Sequence, residues 1–110
     1  MRVGLDTGWI PIDLVSPLTA SGGAAYRRID QCLMMRGGFL GATGRIVFTT
    51  LPVGYRIGIA QQVSTFVRGS NADASKGGNM ILYPDGRLQL GATEAIVATD
   101  TCSIMLTVAL

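Results

Sequence analysis

Side chains able to do chemistry are few in this chain, and the missing types say as much as those present. The 110 residues contain no histidine, which removes the usual general base near neutral pH, the Ser-His and Cys-His nucleophile pairs and the commonest metal ligand. Cys32 and Cys102 stand seventy positions apart with no Cys-x-x-Cys unit, so no zinc signature is present. The carboxylates are Glu94 and six scattered Asp. Glycoside hydrolysis needs two carboxylates a few ångströms apart, whereas Asp30, Asp85 and Asp100 sit in contexts that favour turns. The Gly-rich stretch GGFLGATG at 37–44 lacks the Lys-Ser/Thr pair of a phosphate loop, and no helix follows it. The expectation is a protein without enzymatic activity, metal or cofactor.

Recognition chemistry remains open. Arg and Tyr supply directional donors and flat apolar faces, which suit sugar hydroxyls and protein surfaces alike. Tyr55, Arg56, Arg68, Asn71, Asp73 and Lys76 lie in or beside expected loops, the usual place for binding residues. The polar stretch RGSNADASKGGN at 68–79 reads as an exposed, mobile loop, so Arg68, Asn71, Asp73 and Lys76 are the binding residues expected from it. Simple solvation accounts for each of them taken singly.

The elements that would position these groups are strands. No 11-residue window carries a sustained helical stripe, while short β-branched and aromatic runs recur between Gly, Pro, Asp and Ser clusters. Strands are expected at 8–15, 24–29, 31–36, 44–50, 57–68, 79–83, 87–91 and 101–109, about eight in all. The fold class is therefore all-β, an antiparallel β-sandwich or jelly-roll-like domain, with a small barrel as the alternative and residues 1–110 forming a single domain. In YPDGR, Pro84 presets the second position of a type I turn, Asp85 tolerates the third and Gly86 takes the left-handed residue, which predicts a hairpin joining 79–83 to 87–91. Pro11 cannot donate to a ladder, so the first strand is expected at an edge or bent there. Trp9 is expected as a lid over one end of the core. The apolar Phe39 and Leu40 in the 37–44 loop should be tucked in or touching a partner.

Charged residues make up 15% of the chain, the net charge is +2 and the mean hydropathy is +0.40. An average soluble domain would carry about ten more charged side chains at this length, so part of the surface is expected to be covered by other subunits. The eight Arg and one Lys are spread along the chain rather than clustered, and Arg27 and Arg28 would face opposite sides of a strand. Nucleic-acid binding is not expected. The amino terminus carries Asp6, Asp13, Gly and Pro where a signal peptide needs an unbroken apolar core. No apolar run approaches the roughly 18 residues of a membrane span, so no membrane insertion is expected. With no secretion signal, Cys32 and Cys102 are expected as free thiols inside the core.

The order of the motifs resembles the tip domains of bacteriophage tail fibres and receptor-binding proteins. AAYRRIDQCLMMRGGF at 24–39, GRIVFTTLPVGYRIG at 44–58, MILYPDGRLQL at 80–90 and a closing apolar strand carry the likeness over roughly residues 9–110. Tyr26, Arg27, Arg36, Gly37, Leu51, Pro52, Gly54, Tyr55, Arg56, Asp85 and Gly86 fall in the family's order and approximate spacing. Ile57 stands where the family usually has proline, and RRIDQ lacks the glycine that precedes the family's aspartate, so Asp30-Gln31 must form that turn differently.

The resemblance implies a homotrimeric β-sandwich on the virion exterior, made in the host cytoplasm. Its role would be a tail-fibre or receptor-binding tip that recognises a host surface glycan or protein, with other virion proteins as partners. TLPVGYR at 50–56 would be a structural corner. Pro52 and Gly54 would turn the chain between sheets, Leu51 plug the core, Tyr55 bury its ring, and Arg56 reach backbone carbonyls. Tail-fibre tips normally follow a stalk and this chain starts at Met1, so the expectation is either a domain cut from a longer fibre or a free-standing virion protein. The alternative role is a capsid decoration (cement) protein clamping the assembled head.

Overall fold

The computed structural model describes residues 5–68, 75–92 and 95–110. Its regular elements are nine antiparallel strands: β1 (Ile10–Pro11), β2 (Thr19–Ile29), β3 (Cys32–Leu40), β4 (Ile46–Thr50), β5 (Gln61–Arg68), β6 (Ser75–Leu82), β7 (Arg87–Ala92), β8 (Thr101–Ser103) and β9 (Leu106–Ala109). The order is β1-β2-β3-β8-β5-β6-β7-β4, and β9 also pairs with β3. No helix of the described residues is long and apolar enough to cross a membrane.

Opposite β2, β3 holds two partners along its other edge because it is long, and its side chains alternate. Leu33, Met35 and Phe39 are buried, while Met34 and Arg36 lie on the opposite face. Its Gly38 and Phe39 pair with Ser103 and Cys102 of β8, and its Cys32 to Met35 pair with Ala109 to Leu106 of β9. The expected single strand 101–109 is thus broken in the middle. Ile104 turns fully into the core and sends its N–H to the Gly37 carbonyl (3.1 Å), which leaves Met105 66% exposed.

The sheet curls until its distant members meet. Phe39 on β3 and Phe48 on β4 are separated by β8, β5, β6 and β7 in the strand order, yet their rings lie 4.9 Å apart and both are fully buried. Residues after β1 close the remaining gap. Val15 donates its N–H to the Phe48 carbonyl (3.1 Å), and the Thr49 hydroxyl donates to the Asp13 carbonyl (2.7 Å). The result is the all-β antiparallel architecture expected, with one apolar core between the folded halves.

Turn chemistry is read correctly from the sequence where it is local. The Gly86 N–H bonds Tyr83 O (2.9 Å), the Tyr83 N–H bonds Arg87 O (3.0 Å), and Leu82 pairs with Leu88, which is the PDG hairpin. Asp30 makes the two-residue turn between Ile29 and Cys32 at φ 50°, and its carboxylate accepts the Leu5 N–H at 3.0 Å. Asp and Asn tolerate that left-handed conformation better than other non-Gly residues, which explains a turn made without glycine.

Other expectations also need correction. Residues 37–40 are not loop: they continue β3, and Phe39 is a central core residue. Residues 75–79 are not loop either; they belong to β6, in register with β5 through Val67↔Lys76 and Arg68↔Ser75. The first strand shrinks to Ile10–Pro11 at the sheet's end, since Pro11 cannot extend a ladder. Cys102 is a buried free thiol as expected, but Cys32 is exposed because it lies on the outward phase of β3.

Candidate functional site

The TLPVGYR segment is a corner, as the resemblance implies, although it joins strands of one curled sheet rather than two sheets and Tyr55 is only partly buried. Leu51 is buried, and the Tyr55 ring meets Tyr26 edge-on at 5.0 Å. The Tyr55 N–H closes the turn on Pro52 O (3.2 Å), and Arg56 Nε donates to the Leu51 carbonyl (2.9 Å). From across the turn Arg28 adds a donor to the Gly54 carbonyl.

The corner also forms one wall of a cleft of about 330 Å³ whose other wall is the end of β1. Pro11, Asp13, Tyr26, Thr50, Pro52 and Arg56 are among the residues that line it. The Thr49 hydroxyl is spent on the Asp13 backbone, which fixes the wall from behind. Asp13 and Arg56 form no ion pair with each other, and among the described residues the Asp13 carboxylate has no hydrogen-bond donor. Burial raises the Tyr26 pKa above that of a free phenol, and the neighbouring Tyr55 adds to this; the phenol stays protonated and can donate. A guanidinium, a carboxylate, hydroxyl-bearing residues and two prolines lining one cleft are residue types that can contact a polyhydroxylated ligand.

The residues expected to bind are placed unevenly. Asn71 and Asp73 lie outside the described residues. Arg68 is exposed at the end of β5, opposite Thr101 of β8. Lys76 is opposite Val67, so its side chain leaves the other face of the sheet from that of Arg68. Its Nζ donates to the Asp100 carboxylate (2.7 Å) and to the Ala95 carbonyl (2.6 Å). Asp100 is itself buried and accepts the Val97 N–H (2.9 Å). Lys76 therefore latches the 95–100 turn onto β6 in this structure and does not share a surface with Arg68.

The outer face of β2, β3, β8, β9 and β5 was not foreseen as a surface. Phe66 is 52% exposed on a floor that includes Gly38 and Ser103, with Arg68 and Thr101 at its side. Further along β3, Trp9, Met34, Arg36 and Met105 surround a depression of about 440 Å³. Trp9 is thus not a lid on the core. It lies outside the sheet, with the Arg36 guanidinium 4.3 Å and the Arg27 guanidinium 5.7 Å from its ring. Arg27 is neutralised by Asp6, which accepts from two of its guanidinium nitrogens, Nε at 2.8 Å and Nη2; this holds the Asp6 carboxyl down to about 2.

The fold has a solved counterpart. The chain superposes on the crystal structure of the head domain of phage bIL170, described among the receptor-binding domains of lactococcal phages. The TM-score is 0.71 at 16% identity, over 93% of this chain and 96% of that one. No protein-family model matches, and no curated protein is similar at a significant level. The fold is therefore that of a phage receptor-binding head domain, in agreement with the likeness of the motifs.

Proposed function

We propose that this chain is a receptor-binding domain of a bacteriophage virion, displayed on the particle exterior as a tail-fibre or receptor-binding tip, and that it recognises a host surface glycan. The observation that carries the reading is the cleft between β1 and the corner, which Asp13 and Arg56 line without pairing, together with Pro11 and Pro52. A saccharide offers what such a cleft can use: hydroxyls that donate to the carboxylate and accept from the guanidinium, and C–H faces that pack on the rings. The counterpart fold supports the setting on the virion. A homotrimer is part of the proposal, supported by the low charge content and by Leu5 and Val15 at 48% and 41% exposure.

The test is binding of the purified domain to saccharides released from the host envelope, with Asp13→Asn and Arg56→Met as variants. Each variant is expected to lose about 1.5 to 3 kcal/mol of affinity, the worth of a hydrogen bond to a charged group, while unfolding at nearly the wild-type temperature for Asp13→Asn. Saccharide binding that is unchanged in both variants would show that the cleft is not the site.

A further inference from the structure

We infer that the outer sheet face carrying Trp9, Met34, Arg36, Met105, Phe66 and Arg68 is a docking surface for a second, different protein whose contact patch is acidic around an apolar centre. The register places these groups together. Residues directly opposite in an antiparallel pair share a face: Met34 lies between Arg27 of β2 and Thr107 of β9, and Gly38 between Ser21 of β2 and Ser103 of β8. Val67 pairs with Cys102 on the inner face, so its neighbours Phe66 and Arg68 face outward beside Ser103 and Thr101. Met34 and Gly38 are about 13 Å apart along β3 and Phe66 is about 10 Å across from Gly38, dimensions suited to the core of a protein interface.

Composition favours a protein over a sugar. Trp, Phe, Met and Arg are the types enriched at the centres of protein interfaces, and thioethers give sugar hydroxyls no strong partner. Met105 and Phe66 are 66% and 52% exposed, and the Met34 and Met105 side chains adjoin Trp9 in one depression.

Charge decides the kind of protein. The described ionic groups on this face are Arg27, Arg36 and Arg68 against Asp6, and Asp6 is already bound by Arg27. Arg36 rests on the Trp9 ring and among the described residues has no carboxylate partner. A second copy placed face to face would set these arginines against one another, which is repulsive. A carboxylate-bearing partner satisfies Arg36 at its guanidinium edge while its apolar side chains cover Trp9, Met34 and Met105.

The inference rests on the virion reading, and hydroxyl-radical footprinting separates the two. Radicals are applied to the isolated protein and to purified particles, and oxidation is read at Trp9, Met34 and Met105, with Ile59 as the reference. Oxidation of the three is expected to fall several-fold in particles while Ile59 changes little. Their equal oxidation in both states overturns the docking surface and leaves the virion reading intact. Absence of the chain from particles overturns the virion reading and the surface with it. Protection already present in the isolated protein and lost on dilution identifies a second copy as the occupant, which also overturns the inference. Particles carrying Arg36→Glu are expected to lose the protection and those carrying Arg36→Lys to keep most of it; protection retained in Arg36→Glu overturns the acidic partner.

Discussion

Leu51 donates its backbone N–H to the carbonyl of Gly86 at 2.8 Å. This bond joins the corner after β4 to the tip of the hairpin between β6 and β7, and it determines how closely the two turns pack. Gly86 has φ +94°, and a Cβ there would fall 2.4 Å from the Leu51 carbonyl oxygen and 2.7 Å from Arg56 Nε. The same carbonyl accepts the Arg56 hydrogen bond, so the hairpin tip helps hold the guanidinium that lines the cleft.

Gly86→Ala is therefore expected to cost about 3 kcal/mol, roughly half from left-handed backbone and half from forcing the turns apart. In thermal unfolding this corresponds to a fall in Tm of about 15 °C. Saccharide binding below the transition should weaken as well, because Arg56 must move. An unchanged Tm would contradict the contact between the two turns.

Much of this relationship was legible from the residues alone, because turns are local. Pro84, Asp85 and Gly86 each carry the conformational preference of their place, and Pro52 and Gly54 do the same in the corner. The strand at 37–40 was misread for an equally physical reason. Two consecutive glycines weaken a strand on average, but Gly38 is needed where β8 comes closest to β3. The cleft had no local signature. Asp13 and Arg56 are 43 positions apart, and they line one cleft because the residues after β1 bond to β4 and the corner follows β4. Trp9 was misplaced because its partner Arg36 comes from another strand.

The latch at the other end of the sheet should be sensitive to both charge and pH. The Lys76 and Asp100 side chains are only 16% and 3% exposed. Lys76→Met leaves Asp100 buried without its cation, an expected loss of about 3 kcal/mol, measurable by urea unfolding. The hydrogen bond from Lys76, followed by that from the Val97 N–H, holds the Asp100 carboxyl below the usual carboxylate range. The folded state thus binds this proton less readily than the unfolded chain. Its contribution is complete above the ordinary carboxylate pKa of about 4 and is lost as pH falls through the lower folded value. Unfolding curves from pH 5 down to pH 2 should show a shallower decline for Asp100→Asn than for the wild type. Parallel declines would mean that this carboxylate does not contribute to the acid sensitivity.

The two thiols should react in sequence rather than together. Cys32 is exposed on the outer face, whereas Cys102 is buried against Phe39 and Val67. Burial, reinforced by the charge of Asp100, pushes the Cys102 thiol up to about 11, so little thiolate exists near neutral pH. Maleimide at pH 7.5 is expected to label one thiol per native chain, assigned to Cys32 by peptide mapping, and the second only in denaturant. Two labels on the native protein at similar rates would place Cys102 at the surface.

Gly38 provides the most specific test of the packing, because its backbone conformation is ordinary and only space is at issue. A Cβ at this position would lie 2.3 Å from the Cys102 carbonyl oxygen and 3.2 Å from its carbon. These are backbone atoms of β8, which is held on its far side by the pairing of Cys102 with Val67 of β5. The obstacle cannot rotate away, so Gly38→Ala must move β8 and disturb the junction between the two halves of the sheet. Gly58 is the matching control: nothing lies within 4 Å of a Cβ built there, and its φ is not in the left-handed range. Gly38→Ala is expected to destabilise by about 2 to 3 kcal/mol, and Gly58→Ala to be neutral or stabilising by up to about 1 kcal/mol. If urea midpoints showed equal effects for the two, close approach of β8 to β3 would not be the reason for glycine at position 38.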